Sequence, residues 1–138
     1  IEAPQEAFSA DWIGPGGRAH VRRYALDPAR AIDLVHAAGG VVALAHPFAV
    51  TRGWSVPETL IGELAVAGLD GIEVAHPDHD AGQREHLAAV AGALGLIATG
   101  GSDDHGELTG DRIGAERTGQ ADLDALLARA TGTPVITR

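Results

Sequence analysis

The chain has 138 residues, of which ten are basic (all arginine) and nineteen acidic, giving a net charge of −9; hydrophobic residues make up 45% and aromatic residues 4%. This balance suits a globular domain with enough apolar surface for a core. It argues against a broad basic face for nucleic-acid backbones, while leaving open a phosphate held through bound metal. There is no cysteine, which excludes disulfides and thiolate zinc sites.

No run approaches the roughly 20 apolar residues of a membrane span, and the N-terminus lacks a signal-peptide layout. The expectation is a cytoplasmic chain without membrane contact. The chain opens on Ile1 and contains no methionine, so it is expected to be a piece of a longer polypeptide. Its length suits one domain but falls short of the roughly 200 residues or more of a whole (β/α) barrel.

Residues 1–26 read as an irregular lead-in, with Gly14-Pro15-Gly16-Gly17 as a surface turn; no Gly-Lys-Ser/Thr follows to make it a phosphate loop. From 27 to 138 the chain is orderly. Asp27-Pro28 is an N-cap followed by a first-turn proline. Ile32, Val35 and Ala38 then share a helical face, and Gly39-Gly40 ends the helix.

The apolar run at 41–45 reads as a strand buried on both faces. Pro57 opens a second helix with Leu60, Ile61, Leu64 and Ala67 inward and Gly68 as its stop. The next strand is 71–75. Asp80 with Gln83 forms a capping box for a third helix, whose stripe is Leu87, Val90, Ala91 and Leu94 and whose end is Gly95. A third strand spans 96–99. A last helix starts at Asp122, and 134–137 forms a short final strand. Helices alternating with short buried strands predict an α/β fold of βα units on a parallel sheet.

The residues able to do chemistry fall at the ends of these strands. The first strand runs into His46-Pro47, where the proline is expected to hold the backbone extended. The second carries Glu73 and runs into His76-Pro77-Asp78-His79-Asp80. The third runs into Gly100-Gly101-Ser102-Asp103-Asp104-His105-Gly106. Parallel α/β folds place their sites at the carboxyl ends of strands, so these residues are expected to share one site.

Imidazole and carboxylate donors without sulfur suit zinc, manganese or iron in a hydrolytic centre. Each residue also has an ordinary reading. His46 could be a polar strand end, Asp103 and His105 could brace a loop, and Glu73 could fill a polar interior. Asp80 is accounted for as a cap, and His76 is a weaker candidate than His79. Arg52 follows His46 closely enough to meet a phosphate, although a surface arginine is the commoner case. His20, His36 and His86 read as loop or helix-surface residues. No Gly-x-Ser-x-Gly elbow or His-Glu-x-x-His helix is present.

Four stretches carry a resemblance to a known family. They are 31–40, Leu44-Ala45-His46-Pro47, Gly68-Leu69-Asp70-Gly71-Ile72-Glu73-Val74 and Thr99-Gly100-Gly101-Ser102-Asp103-Asp104-His105-Gly106. In this order and spacing, from about position 7 onward, the chain resembles the C-terminal part of the PHP (polymerase and histidinol phosphatase) metal-dependent phosphoesterases. It looks most like the bacterial branch acting on nucleotides and short RNA.

The resemblance implies the C-terminal half of a distorted (β/α)7 barrel and up to three divalent ions in the complete protein. It makes His46, Asp103 and His105 metal ligands. His105 is further expected to protonate a leaving group, and His79, Arg52 and Glu73 are expected at the substrate, a phosphorylated small molecule or nucleotide.

The family's His-x-His motif and its remaining ligands lie upstream of this segment. The missing N-terminal half is therefore an expected partner, the segment alone is expected to be inactive, and its exposed edges are expected to favour self-association. Two other readings stay open: a non-catalytic PHP-like structural or interaction module, and a metal-dependent amidohydrolase.

Overall fold

The computed structural model describes Glu2 and residues 4–22, 24–50 and 55–134. Arg52, and the expected final strand apart from Pro134, lie outside the described residues. The lead-in is irregular, as its sequence suggests. A 3-10 turn at Pro4–Phe8 leads into bends in which the Arg18 guanidinium stacks 4.3 Å over the Trp12 ring.

Among the described residues, four α-helices alternate with three strands: α1 (Pro28–Ala37), β1 (Ala43–Leu44), α2 (Glu58–Val66), β2 (Gly71–Ala75), α3 (Ala81–Leu94), β3 (Ile97–Gly100) and α4 (Gln120–Arg129). The strands form a parallel sheet in the order β1-β2-β3, so the fold is α/β. The local signals explain most boundaries. The Asp27 carboxylate accepts the Arg30 N–H at 3.1 Å to open α1. Both bonds of the Asp80–Gln83 capping box, each 2.8 Å, open α3, and Gly95 closes it in a left-handed conformation.

Three elements depart from expectation. β1 is two residues long because carboxylates take the backbone N–H groups on either side of it. Val42 donates to Asp70 Oδ2 at 2.9 Å and His46 donates to Glu73 Oε2 at 2.7 Å. α4 starts at Gln120 and has no buried residue; Leu123 and Leu127 are each 40% exposed. Finally, the chain after the site loop returns beside β3. Gly101 pairs antiparallel with Arg117, and the Thr118 hydroxyl bonds both the N–H and the carbonyl of Gly100. A Cβ at position 100 would stand 2.5 Å from the Arg117 carbonyl oxygen, so this approach needs glycine.

Ile32, Ile61, Leu64, Leu69, Ile72, Leu87, Ala91 and Leu96 form the core between the helices and the sheet. Beside β1, an apolar groove of about 170 Å³ is lined by residues that include Pro28, Ala31, Ile32, Leu44 and Leu64. Among the described residues no helix is long and apolar enough to cross a membrane.

Candidate functional site

His46 follows β1, the 76–80 turn follows β2, and Asp103 and His105 follow β3. All of them therefore leave the sheet at its carboxyl end. The His46 and His76 rings lie 5.3 Å apart, His76 Nε2 is 3.5 Å from Asp103 Oδ2, and His105 Nδ1 is 3.8 Å from Asp103 Oδ1. The structure thus brings His46, Asp103 and His105 to one end of the sheet, with His76 as the link.

His46 and Asp103 have φ of +30° and +46°, the only non-glycine residues with positive φ among those described. The expected extended backbone before Pro47 is therefore not found. His46, whose N–H donates to Glu73 Oε2, lies in the left-handed region instead, although proline favours an extended predecessor. Residues kept in such conformations cluster at functional sites.

His76 was the weaker candidate in the sequence, yet it is fully buried. Burial pushes its imidazole below the ordinary histidine range, partly opposed by the charges of Glu73 and Asp78, which favours the neutral ring. Its Nδ1 accepts the Asp78 N–H at 3.0 Å, so the ring proton sits on Nε2, facing Asp103. A buried histidine between two chain ends leaves no periodic signature; the His76-Pro77-Asp78-His79 cluster was the only available hint.

His79 is 3% exposed and both of its nitrogens are engaged: Nδ1 donates to the Val74 carbonyl at 3.0 Å, and Nε2 accepts the Phe48 N–H at 3.3 Å. This differs from the expected substrate contact, since neither nitrogen is left for a ligand. Glu73 also serves the backbone, its Oε2 accepting from His46.

Interactions around the third strand end fix the Asp103 loop. Asp104 takes the N–H groups of Arg112 and Gly106, which hold its carboxyl below the usual range. Arg112 also donates to the Asp103 carbonyl at 2.7 Å. Ser102 pairs with the backbone of Glu116, and the Glu116 carboxylate meets Arg84 of α3. Arg84 in turn donates to the carbonyls of His76 and His79, tying the second loop to the third.

The donor types fit a divalent ion. His105 Nδ1 donates to the Asp103 carbonyl at 2.8 Å, so Nε2 would be the atom to meet an ion, the usual arrangement for a metal-bound histidine. His76, whose Nε2 carries the ring proton, faces Asp103 rather than offering a lone pair to an ion. The number of donors is short, however: among the described residues no group of three His, Asp or Glu is placed to hold an ion.

No family model matches the chain. It is 38% identical over 82 residues to a phosphoribosyl 1,2-cyclic phosphate 1,2-diphosphodiesterase of Eggerthella lenta, covering 59% of this chain and 29% of that protein. It is 33% identical over 101 residues to a 3',5'-nucleoside bisphosphate phosphatase of Chromobacterium violaceum, covering 73% and 35%. A solved structure from Bifidobacterium adolescentis, described as a metal-dependent phosphoesterase, aligns with a TM-score of 0.80 at 30% identity, over all of this chain and 48% of that one.

The chain therefore spans about a third of these two curated relatives and about half of the solved structure. Over that span the resemblance read from the motifs holds, and the chain is related to the PHP metal-dependent phosphoesterases.

Proposed function

We propose that this chain supplies one half of a metal-dependent phosphoesterase that hydrolyses phosphomonoesters or phosphodiesters of nucleotide-like substrates. The observation that carries the reading is the convergence of His46, Asp103 and His105 through His76 at the carboxyl end of the sheet. The relatives named for cyclic phosphodiester and bisphosphate chemistry support the substrate class.

In this reading His46, Asp103 and His105 hold divalent ions together with ligands from an N-terminal half of a (β/α)7 barrel. Zinc, manganese and iron all suit imidazole and carboxylate donors, and up to three ions are proposed. Such ions lower the pKa of bound water and polarise the phosphoryl group. The protein's own contribution is to aim the donors. The carbonyl of Asp103 takes the His105 Nδ1–H, which fixes the neutral tautomer with its lone pair on Nε2 for a metal ion; only after taking up a further proton at Nε2 does the ring serve as proton donor to a leaving oxygen. Arg112 and Asp104 hold the loop that carries both residues.

The segment alone is proposed to be inactive. A catalytic zinc-type ion takes about three protein ligands, and three side chains shared among several ions fall short. The apolar groove beside β1 suits an association with the N-terminal half, or self-association in its absence. The test is to assay residues 1–138 with zinc or manganese on a phosphodiester, a nucleoside monophosphate and an amide, beside the full-length polypeptide. The expected result is phosphoesterase turnover by the full-length protein and at least tenfold less by the segment. Amide turnover alone, or no turnover by the full-length protein, overturns the reading.

A further inference from the structure

We propose that Glu73 and His79 are positioning residues, which hold the turn after β1 in the left-handed conformation that presents His46 to the site. The inference rests on the reading of His46 as a metal ligand. At φ +30°, directly before a proline, His46 occupies backbone space that a non-glycine residue keeps only when its surroundings over-determine it.

The surroundings do so from the end of β2 and the start of α3. The Glu73 carboxylate accepts the N–H of His46 itself at 2.7 Å, a short, charge-assisted bond. Two residues on, His79 Nε2 accepts the Phe48 N–H, and Gln83 donates to the Phe48 carbonyl at 3.1 Å. His79 is anchored in turn through its Nδ1–H to the Val74 carbonyl. Pro47 and Ala49, which alternate with these tied residues, are both buried.

The β2–β3 register is irregular between Glu73 and Ala75, the kind of irregularity that re-aims side chains next to active sites. Gly101 completes the arrangement. A Cβ there would stand 2.8 Å from Glu73 Oε1, so the glycine leaves the carboxylate its room between the first and third strand ends.

Amide hydrogen exchange on the metal-free 138-residue chain tests this directly. Glu73→Gln keeps an acceptor and should leave His46 protection within about threefold. Glu73→Ala and Gly101→Ala should each lower it roughly tenfold or more, a change in line with losing a bond to a charged group, with the core amides of β2 and β3 unchanged. His79→Ala should release the Phe48 amide in the same way.

In the full-length polypeptide, Glu73→Gln should bind zinc or manganese as the wild type does, and Glu73→Ala about 10- to 100-fold more weakly. Unchanged His46 protection in both Glu73→Ala and Gly101→Ala overturns the proposal. So does equal metal loss in Glu73→Gln and Glu73→Ala with protection intact, which makes Glu73 a ligand. A raised KM alone, with metal and protection unchanged, makes it a substrate contact and also overturns it. If the wild-type polypeptide binds no metal, the ligand reading of His46 fails, while amide protection still decides the positioning role.

Discussion

The two ends of the sheet handle the same physical problems in opposite ways. Where the strands begin, the left-handed positions are glycines: Gly39, Gly68 and Gly95, with φ of +79°, +103° and +67°. Where the strands finish, the loop after β3 still uses Gly106, at φ +62°, but His46 and Asp103 adopt that conformation as well, which a side chain makes costly.

The carboxylates differ likewise. Asp70, at the beginning of β2, takes His36 Nε2 at 2.8 Å and the Val42 N–H at 2.9 Å, with Arg129 reaching both its carboxylate and its carbonyl. Burial pushes the Asp70 carboxyl up, but these bonds outweigh it and hold the group below the usual range. Asp103 instead lies 3.5 Å from a buried, neutral His76 and 3.8 Å from His105, and Arg112 goes to its carbonyl. One end closes its interactions for stability. The other places Asp103 3.5 and 3.8 Å from two histidine nitrogens and accepts left-handed backbone at two residues that carry side chains.

The largest effect expected from this contrast is on metal and turnover. Asp103→Ala in the full-length polypeptide should remove most bound metal and lower turnover by about 100-fold or more, because on the proposed reading it removes a ligand of the ions that activate water. Metal analysis with a phosphodiester assay checks it. Unchanged metal and turnover would mean that the two ends do not differ in function.

Asp70→Ala should behave in reverse, leaving metal content intact while costing about 2–3 kcal/mol of stability in urea unfolding, since hydrogen bonds to a charged group are lost. The pH dependence follows from the sign of the shift. The folded carboxyl is held below its unfolded value of about 3.9, so its contribution is complete above that pH and fades as pH falls through the folded value. The stability gap between wild type and Asp70→Asn should therefore narrow below about pH 4. A gap that widens in acid would contradict the shift.

The smallest expected effects isolate the backbone. No atom lies within 4 Å of a Cβ built at Gly95, so Gly95→Ala should cost only the left-handed penalty of about 1 kcal/mol. At the other end, Asp103→Gly should be more stable than Asp103→Ala by a similar amount, although both lose the carboxylate. Equal stability of those two variants would show that φ at 103 carries no strain.

Much of the fold was legible because its signals are local. Asp27 before Pro28, the Asp80–Gln83 box and Gly95 each act within one helical turn, and each does in the structure what its spacing predicts. The helix starting at Gln120 rather than Asp122 shows the limit of such signals, since Gly119 offers no side-chain cap to mark the boundary. The placing of candidate residues at strand ends was legible for the same reason: apolar runs end where polar residues begin.

What the sequence by itself determined, then, is the order of elements and the gathering of histidines and carboxylates on one side of a parallel sheet. Only the tertiary structure decided what each polar group faces. Glu73 meets an amide 27 residues away and His79 one 31 residues away, while Arg84 reaches Glu116 across 32. Periodicity and capping follow from the geometry of a single element. The partner of a buried imidazole or carboxylate is set by which chain ends the packed core brings within about 3 Å, and by the requirement that a buried polar group find a bond where it lands.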